Sequence, residues 1–117
     1  MKVIIAGSRS ITDKDVVNQA IKDSGFKITE ILCGCAKGVD DLGRQYGEQN
    51  KILVTEYPPN WHKYGNAAGI MRNIVMAKKC DALIAVWDGK SRGTKHMIEC
   101  IEKLKLPLYV KDMSHGQ

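Results

Sequence analysis

Aromatic side chains are scarce in this chain, with Phe, Trp and Tyr together making 6% of its residues and Phe appearing once. Single-stranded nucleic acid is gripped by basic grooves carrying stacking aromatics, so this scarcity weighs against such a partner. The formal charge of +5 admits anionic ligands. Lys and Arg are nevertheless dispersed, without the blocks of like charge that mark interaction tails, and most of them read as solvated helix faces. No apolar run approaches the roughly 20 residues of a membrane helix, so no membrane partner is expected. The N-terminus passes straight into a strand at Lys2, leaving no room for a signal peptide, and a cytoplasmic protein is expected. Cys33, Cys35, Cys80 and Cys100 follow neither a disulfide nor a zinc spacing and read as small, half-buried, reduced thiols. His62, His96 and His115 read as isolated, away from other metal ligands, so neither a metal nor a cofactor is expected.

What remains is an alternation of apolar strands and amphipathic helices in 117 residues, enough for one domain with one core. Strands are predicted at Lys2–Ala6, Ile28–Cys33, Ile52–Thr55, Ala82–Trp87 and Leu106–Val110. Thr12 is placed to cap a first helix that runs to Ser24 and stops at Gly25, with Val16, Val17, Ala20 and Ile21 inward. A second helix runs from Gly38 to Gln49 through Val39, Leu42 and Tyr46. After a loop over residues 57–64, stiffened by Pro58 and Pro59, a third spans Asn66–Lys79 with Ala67, Met71, Ile74 and Val75 facing the core. The last runs from Gly93 to Lys105 on Met97, Ile98, Ile101 and Leu104. Strands alternating with helices imply a parallel sheet covered on both faces. Right-handed crossovers make that an α/β, doubly wound, Rossmann-like domain over residues 1–111, with a flexible tail from Asp112 to Gln117.

Three sparse turns follow three of these strands. Such turns gather outside the carboxyl ends of a parallel sheet, where ligands bind. Gly7, Ser8 and Arg9 combine close backbone approach with two donors suited to a phosphate. Gly34, Ala36, Lys37, Gly38 and Asp40 open a helix N-terminus beside a cation, where an anion is favoured; Asp40 reads equally as a cap. Ser91, Gly93 and Thr94 open the last helix, and Asp88 could accept from ribose hydroxyls or merely shape the turn before Gly89. The spacing is neither a dinucleotide fingerprint nor a Walker loop. On the third helix, Gly65, Ala68, Gly69 and Arg72 share a nearly bare face that suits close approach by a ligand or a second subunit. Trp61 and Tyr64 could stack on a base or plug the core edge.

These pieces resemble the small YspA/YpsA-related group of the SLOG superfamily of Rossmann-like proteins. The resemblance runs from Lys2 to about Val110 through Gly7-Ser8-Arg9, the run from Gly34 to Asp40, Trp61 with Lys63-Tyr64-Gly65, Ala68-Gly69-x-x-Arg72-Asn73, and Trp87-Asp88-Gly89-x-Ser91-x-Gly93-Thr94. It implies recognition of a nucleotide phosphate and sugar, adds Asn73 to the candidate ligand contacts, and makes a homodimer or higher homo-oligomer the expected assembly. The superfamily includes lonely-guy phosphoribohydrolases and DNA-processing proteins that bind single-stranded DNA, so three readings follow: nucleotide binding, nucleotide hydrolysis and single-strand binding. In the hydrolases a glutamate follows the threonine of the last motif by three residues; here that position is Met97. Arg72, Asp88 and Asp40 are then the remaining candidates for catalysis, which calls for a carboxylate at an oxocarbenium-like sugar.

Overall fold

The computed structural model describes residues 1–114. Strands β1 (Lys2–Gly7), β2 (Glu30–Cys33), β3 (Leu53–Glu56), β4 (Ala82–Trp87) and β5 (Leu108–Asp112) alternate with helices α1 (Lys14–Ser24), α2 (Val39–Gln49), α3 (Trp61–Tyr64), α4 (Ala68–Lys79) and α5 (Arg92–Lys103). All five strands lie in one parallel sheet of order β3-β2-β1-β4-β5. This is the α/β, doubly wound, Rossmann-like arrangement that the alternating pattern implies.

Strand β1 is central and its Val3, Ile4 and Ile5 are all buried, as a strand covered on both sides requires. Its side chains alternate between two cores. Val3 and Ile5 join Val17, Ala20 and Ile21 of α1 and Val39 of α2. Ile4 joins Met76 and Ala77 of α4 and Met97 and Ile101 of α5. The chain steps outward from β1 through β2 to β3, then crosses back to place β4 on the other side of β1. The winding therefore reverses between β1 and β4, which opens a crevice at their carboxyl ends.

Several local expectations are corrected. Helix α1 is capped by Asp13, whose carboxylate accepts from the Asp15 amide at 2.9 Å, and Thr12 lies outside it. Gly25 does end the helix, in the left-handed conformation at φ 69°. The residue 57–64 loop is partly helical, because the Asn60 side chain accepts from the Lys63 amide and caps α3. A 3-10 turn, Gly65–Ala67, links α3 to α4, so Gly65 does not share a continuous helix face with Ala68, Gly69 and Arg72. Ala67, Met71 and Val75 are exposed, and α4 instead buries Ala68, Asn73, Met76 and Ala77. Apolar residues occur on both sides of this helix, and the face that packs beside α5 is the one carrying Met76 and Ala77. Leu104 is exposed beyond the end of α5. Strand β5 is shifted toward the C-terminus and reaches Asp112, whose register partner is Trp87. The Met113 amide donates to the Trp87 carbonyl at 2.7 Å, while residues 115–117 of the expected tail, His115 among them, lie outside the described residues.

Candidate functional site

Close packing begins the site. At Gly7, the last residue of β1, a Cβ would stand 2.0 Å from the Val86 carbonyl oxygen and 2.7 Å from Val39 Cγ2. Only glycine lets β1 and β4 run so close beside the start of α2. The next residue, Ser8, is 1% exposed and ties the turns together. Its hydroxyl accepts from the Asp88 amide at 2.9 Å, and its carbonyl accepts from the amides of Ile11 and Val39. The hydroxyl of Ser8, a candidate phosphate contact, accepts from the turn after β4.

The turn before α2 is shaped around two charges. Gly38 adopts φ 74°, and a Cβ there would lie 2.5 Å from the Ser8 carbonyl oxygen. Asp40, in the first turn of α2, is 6% exposed and accepts from the Ala36 amide at 3.2 Å. Burial pushes its carboxyl above the ordinary range, opposed by that amide and by the charges of Arg72 and Arg9. At Gly34 a Cβ would meet Arg72 Nη1 and Asp40 Oδ2, each at 2.8 Å, so the glycine makes room for the ion-bearing groups. Cys33 is buried and its thiol is pushed up to about 12, chiefly by that burial. Cys35 is exposed at φ 69°, so this pair divides between interior and solvent rather than sharing half-burial.

Arg72 reaches from α4 into this turn. Its Nη1 donates to the Gly34 carbonyl and, at 3.5 Å, to that of Tyr57, while its Nε donates to Asn73 Oδ1 at 3.0 Å. Asn73 passes the connection onward, donating from Nδ2 to the Gly93 carbonyl at 3.2 Å, with His96 Nδ1 also 3.2 Å away. The other ring nitrogen of His96 lies 3.6 Å from Cys100 Sγ, one helical turn along α5. His96 is therefore not isolated as expected. Among the described residues no group of three or more metal-binding side chains forms.

The start of α5 is held firmly. Asp88 accepts from the amides of Lys90 and Ser91 at 2.8 and 2.9 Å, and these bonds hold its carboxyl below the usual range. Trp87 Nε1 donates to the Ser91 carbonyl at 3.0 Å. Ser91 is the N-cap, its hydroxyl accepting from the Thr94 amide and lying 3.0 Å from Thr94 Oγ1. The first turn of a helix leaves N–H groups without partners inside that helix, and the helix dipole adds partial positive charge.

These pieces border one crevice with two halves. The inner half, about 430 Å³, is lined by Gly7, Arg9, Ala36, Asp40, Arg72, Asn73, Asp88, Ser91, Gly93 and Thr94 from the expected set. The outer half, about 650 Å³, shares Arg9, Ala36, Arg72, Asn73 and Gly93 with it and adds Gly34, Lys37 and Trp61. The three turns thus meet at a common edge. Ser8 and Gly38 line neither half and act behind it. Tyr64 lines a third groove of about 270 Å³ with Tyr57, Met71 and Val75, which adjoins the outer half at Pro58 and Arg72 and does not include Trp61. Sequence reasoning passed over Ser10 and Met97, which line the inner half, and Cys35, Asn66 and Ile70, which line the outer. Ser10 adjoins Arg9 and could have been included by proximity; Met97 was assigned wholly to the core, where it is buried while its edge meets the crevice.

No solved structure matches the chain significantly. It is 30% identical over 117 residues to the Gene 61 protein of Mycobacterium phage D29, covering 92% of this chain and 93% of that one. Residues 1–64, which contain the first two turns and Trp61, match the family model described as the YspA, cpYpsA-related SLOG family. With a match over more than half its length and a relative alignable almost end to end, the chain belongs to the YspA, cpYpsA-related SLOG family.

Proposed function

We propose that the protein binds a nucleotide or a nucleotide-derived small molecule in the crevice between β1 and β4. One observation carries this reading: the guanidinium-bearing residues Arg9 and Arg72 line the same inner pocket as the capped first turn of α5. Two arginines and a helix N-terminus are a combination suited to a phosphate. In this reading Asp88 accepts from the sugar and Trp61 covers the base. Family membership supports a nucleotide-related role without naming the ligand. The test is thermal unfolding in the presence of nucleoside monophosphates, diphosphates and cyclic nucleotides. Wild type should be stabilised by at least one of them and the Arg9→Ala, Lys37→Ala double variant should not; equal shifts in both would refute the assignment.

A second reading, hydrolysis of such a nucleotide, is favoured by Asp40 alone. It is a buried carboxyl on the inner lining, raised toward its protonated form and set against Arg9 and Arg72. A carboxyl tuned upward serves as a general acid. Release of free base, measured by chromatography and abolished in Asp40→Asn, would establish it. With Met97 in the position where the related hydrolases carry glutamate, binding without turnover is the leading reading.

The exposed apolar residues Ile70, Met71 and Val75 on α4 support a homodimer packed on that face. Light scattering should give twice the chain mass, falling to one chain mass in Met71→Glu. Among the described residues no helix is long and apolar enough to cross a membrane. Four free thiols fit the reducing cytoplasm, which we take as the location.

A further inference from the structure

The two halves of the crevice differ in charge, and that difference carries information about the ligand. The inner half sets Arg9 and Arg72 against Asp40 and Asp88. The outer half keeps both arginines, adds Lys37, and has no carboxylate among its lining residues. Arg9 and Arg72 line both halves and so form the ridge between them. Arg72 is fixed in place by its bonds to the carbonyls of Gly34 and Tyr57 and to Asn73, which makes it a preorganised cation. At the outer end Trp61 is 55% exposed, and it is accompanied there by Pro58 and Pro59. An exposed tryptophan beside a cationic wall suits a flat, electron-poor ring joined to an anion. Each half falls within the roughly 300 to 1,000 Å³ of a small-molecule pocket. A single phosphate at the start of α5 leaves Lys37, on the other side of the ridge, facing no anion.

Resting on the binding role above, we infer that the outer half is a second anion subsite and that the ligand is a nucleotide with at least two linked phosphates. The base lies against Trp61 and the proximal phosphate sits beside Lys37, so the sugar between them lies in the outer half. Asp88, which lines the inner half, orders the α5 turn in this pose instead of accepting from the sugar. The distal phosphate crosses the Arg9–Arg72 ridge and meets the hydroxyls of Ser91 and Thr94 at the start of α5. Arg9 and Arg72 offset the Asp40 and Asp88 carboxyls that line the inner half with them.

Calorimetric titration of the whole protein with paired 5′-monophosphates and 5′-diphosphates of adenosine, guanosine, cytidine and uridine tests this. The diphosphate of at least one base should bind about tenfold or more tightly than its monophosphate, the worth of one charge-assisted contact. Thr94→Val should erase that advantage, whereas Lys37→Ala and Trp61→Ala should weaken both members of the pair by a similar factor. Lys37 and Trp61 are exposed, so those two variants report on binding even if Thr94→Val unfolds, and ligand-free melting of each variant checks folding. Equal affinity for both members of every pair would overturn the two-phosphate inference and leave the nucleotide reading standing. An advantage untouched in folded Thr94→Val, or monophosphate binding indifferent to both Lys37→Ala and Trp61→Ala, would overturn it as well. Failure of all eight nucleotides to bind would overturn both.

Discussion

The inner and outer halves of the crevice are built by different means. The inner half is the end of the sheet itself. Gly7 is pressed against Val86, Ser8 holds the Asp88 amide, Asp88 holds two more, and Ser91 caps α5. The ties of Gly7 to Val86 and of Ser8 to Asp88 join strands distant in sequence, and those of Asp88 and Ser91 lock the turn that follows β4. The outer half is built from the connection between β3 and α4, where Trp61 and Asn66 are exposed, and a Cβ at Gly69 would meet no atom within 4 Å. The inner half is therefore intolerant of change at Gly7 and Ser8, and the outer half is adaptable along the β3–α4 connection while staying closely packed at Gly34. That division suits a site whose phosphate recognition is preorganised while the rest of the ligand is admitted more freely.

The sharpest way to break the comparison is at Gly7. Gly7→Ala should cost about 3 kcal/mol or more, because its methyl meets backbone that cannot retreat. Urea unfolding should show a much lower midpoint, and a midpoint unchanged from wild type would mean the inner half is not tightly built. Ser8→Ala comes next. It strands the Asp88 amide, and losing a partner for a half-buried donor costs about 1 to 3 kcal/mol. The same unfolding measurement applies, and the loss should come with weaker nucleotide binding as the β4–α5 turn loosens.

Asp40→Asn has a smaller effect, visible in its pH dependence. The asparagine oxygen can still accept from the Ala36 amide. Because the folded state raises the carboxyl above its unfolded value of about 3.9, it binds the proton more tightly than the unfolded chain does. Its contribution to stability is complete below that unfolded value and is lost as pH rises through the folded one. Stability of wild type relative to Asp40→Asn should accordingly decline with rising pH over that window. A constant difference would show that burial does not govern this group. Last, Gly69→Ala in the outer half should stabilise the protein by up to about 1 kcal/mol through helix propensity alone. A lower melting temperature would show that this face of α4 is already covered.

How much of this was legible in the residues varies by element. The run Val3-Ile4-Ile5 announced a strand buried on both faces, and the alternating pattern was sufficient for the sheet, since parallel strands need covering helices and right-handed crossovers. The three turns were legible as turns, because glycine with small polar residues interrupts the apolar period between a strand and a helix. Helix α4 was not. Its apolar residues lie on two sides, so periodicity could not say whether Met71 and Val75 or Met76 and Ala77 faced inward. Nor could Ser8 be distinguished from a ligand contact, since a hydroxyl serves an amide or a phosphate with the same lone pairs.

The order of residue types along the chain by itself determined the α/β architecture and the edge at which the three turns gather, because period and turn chemistry are local properties. Only the tertiary structure decided that Arg72 stands between the two halves of the crevice, that Tyr64 and Trp61 border different grooves, and that Met97 lines the crevice. Those facts depend on the angle and depth at which α4 and α5 settle on the sheet. Packing of side chains far apart in sequence sets that placement, and no local pattern encodes it.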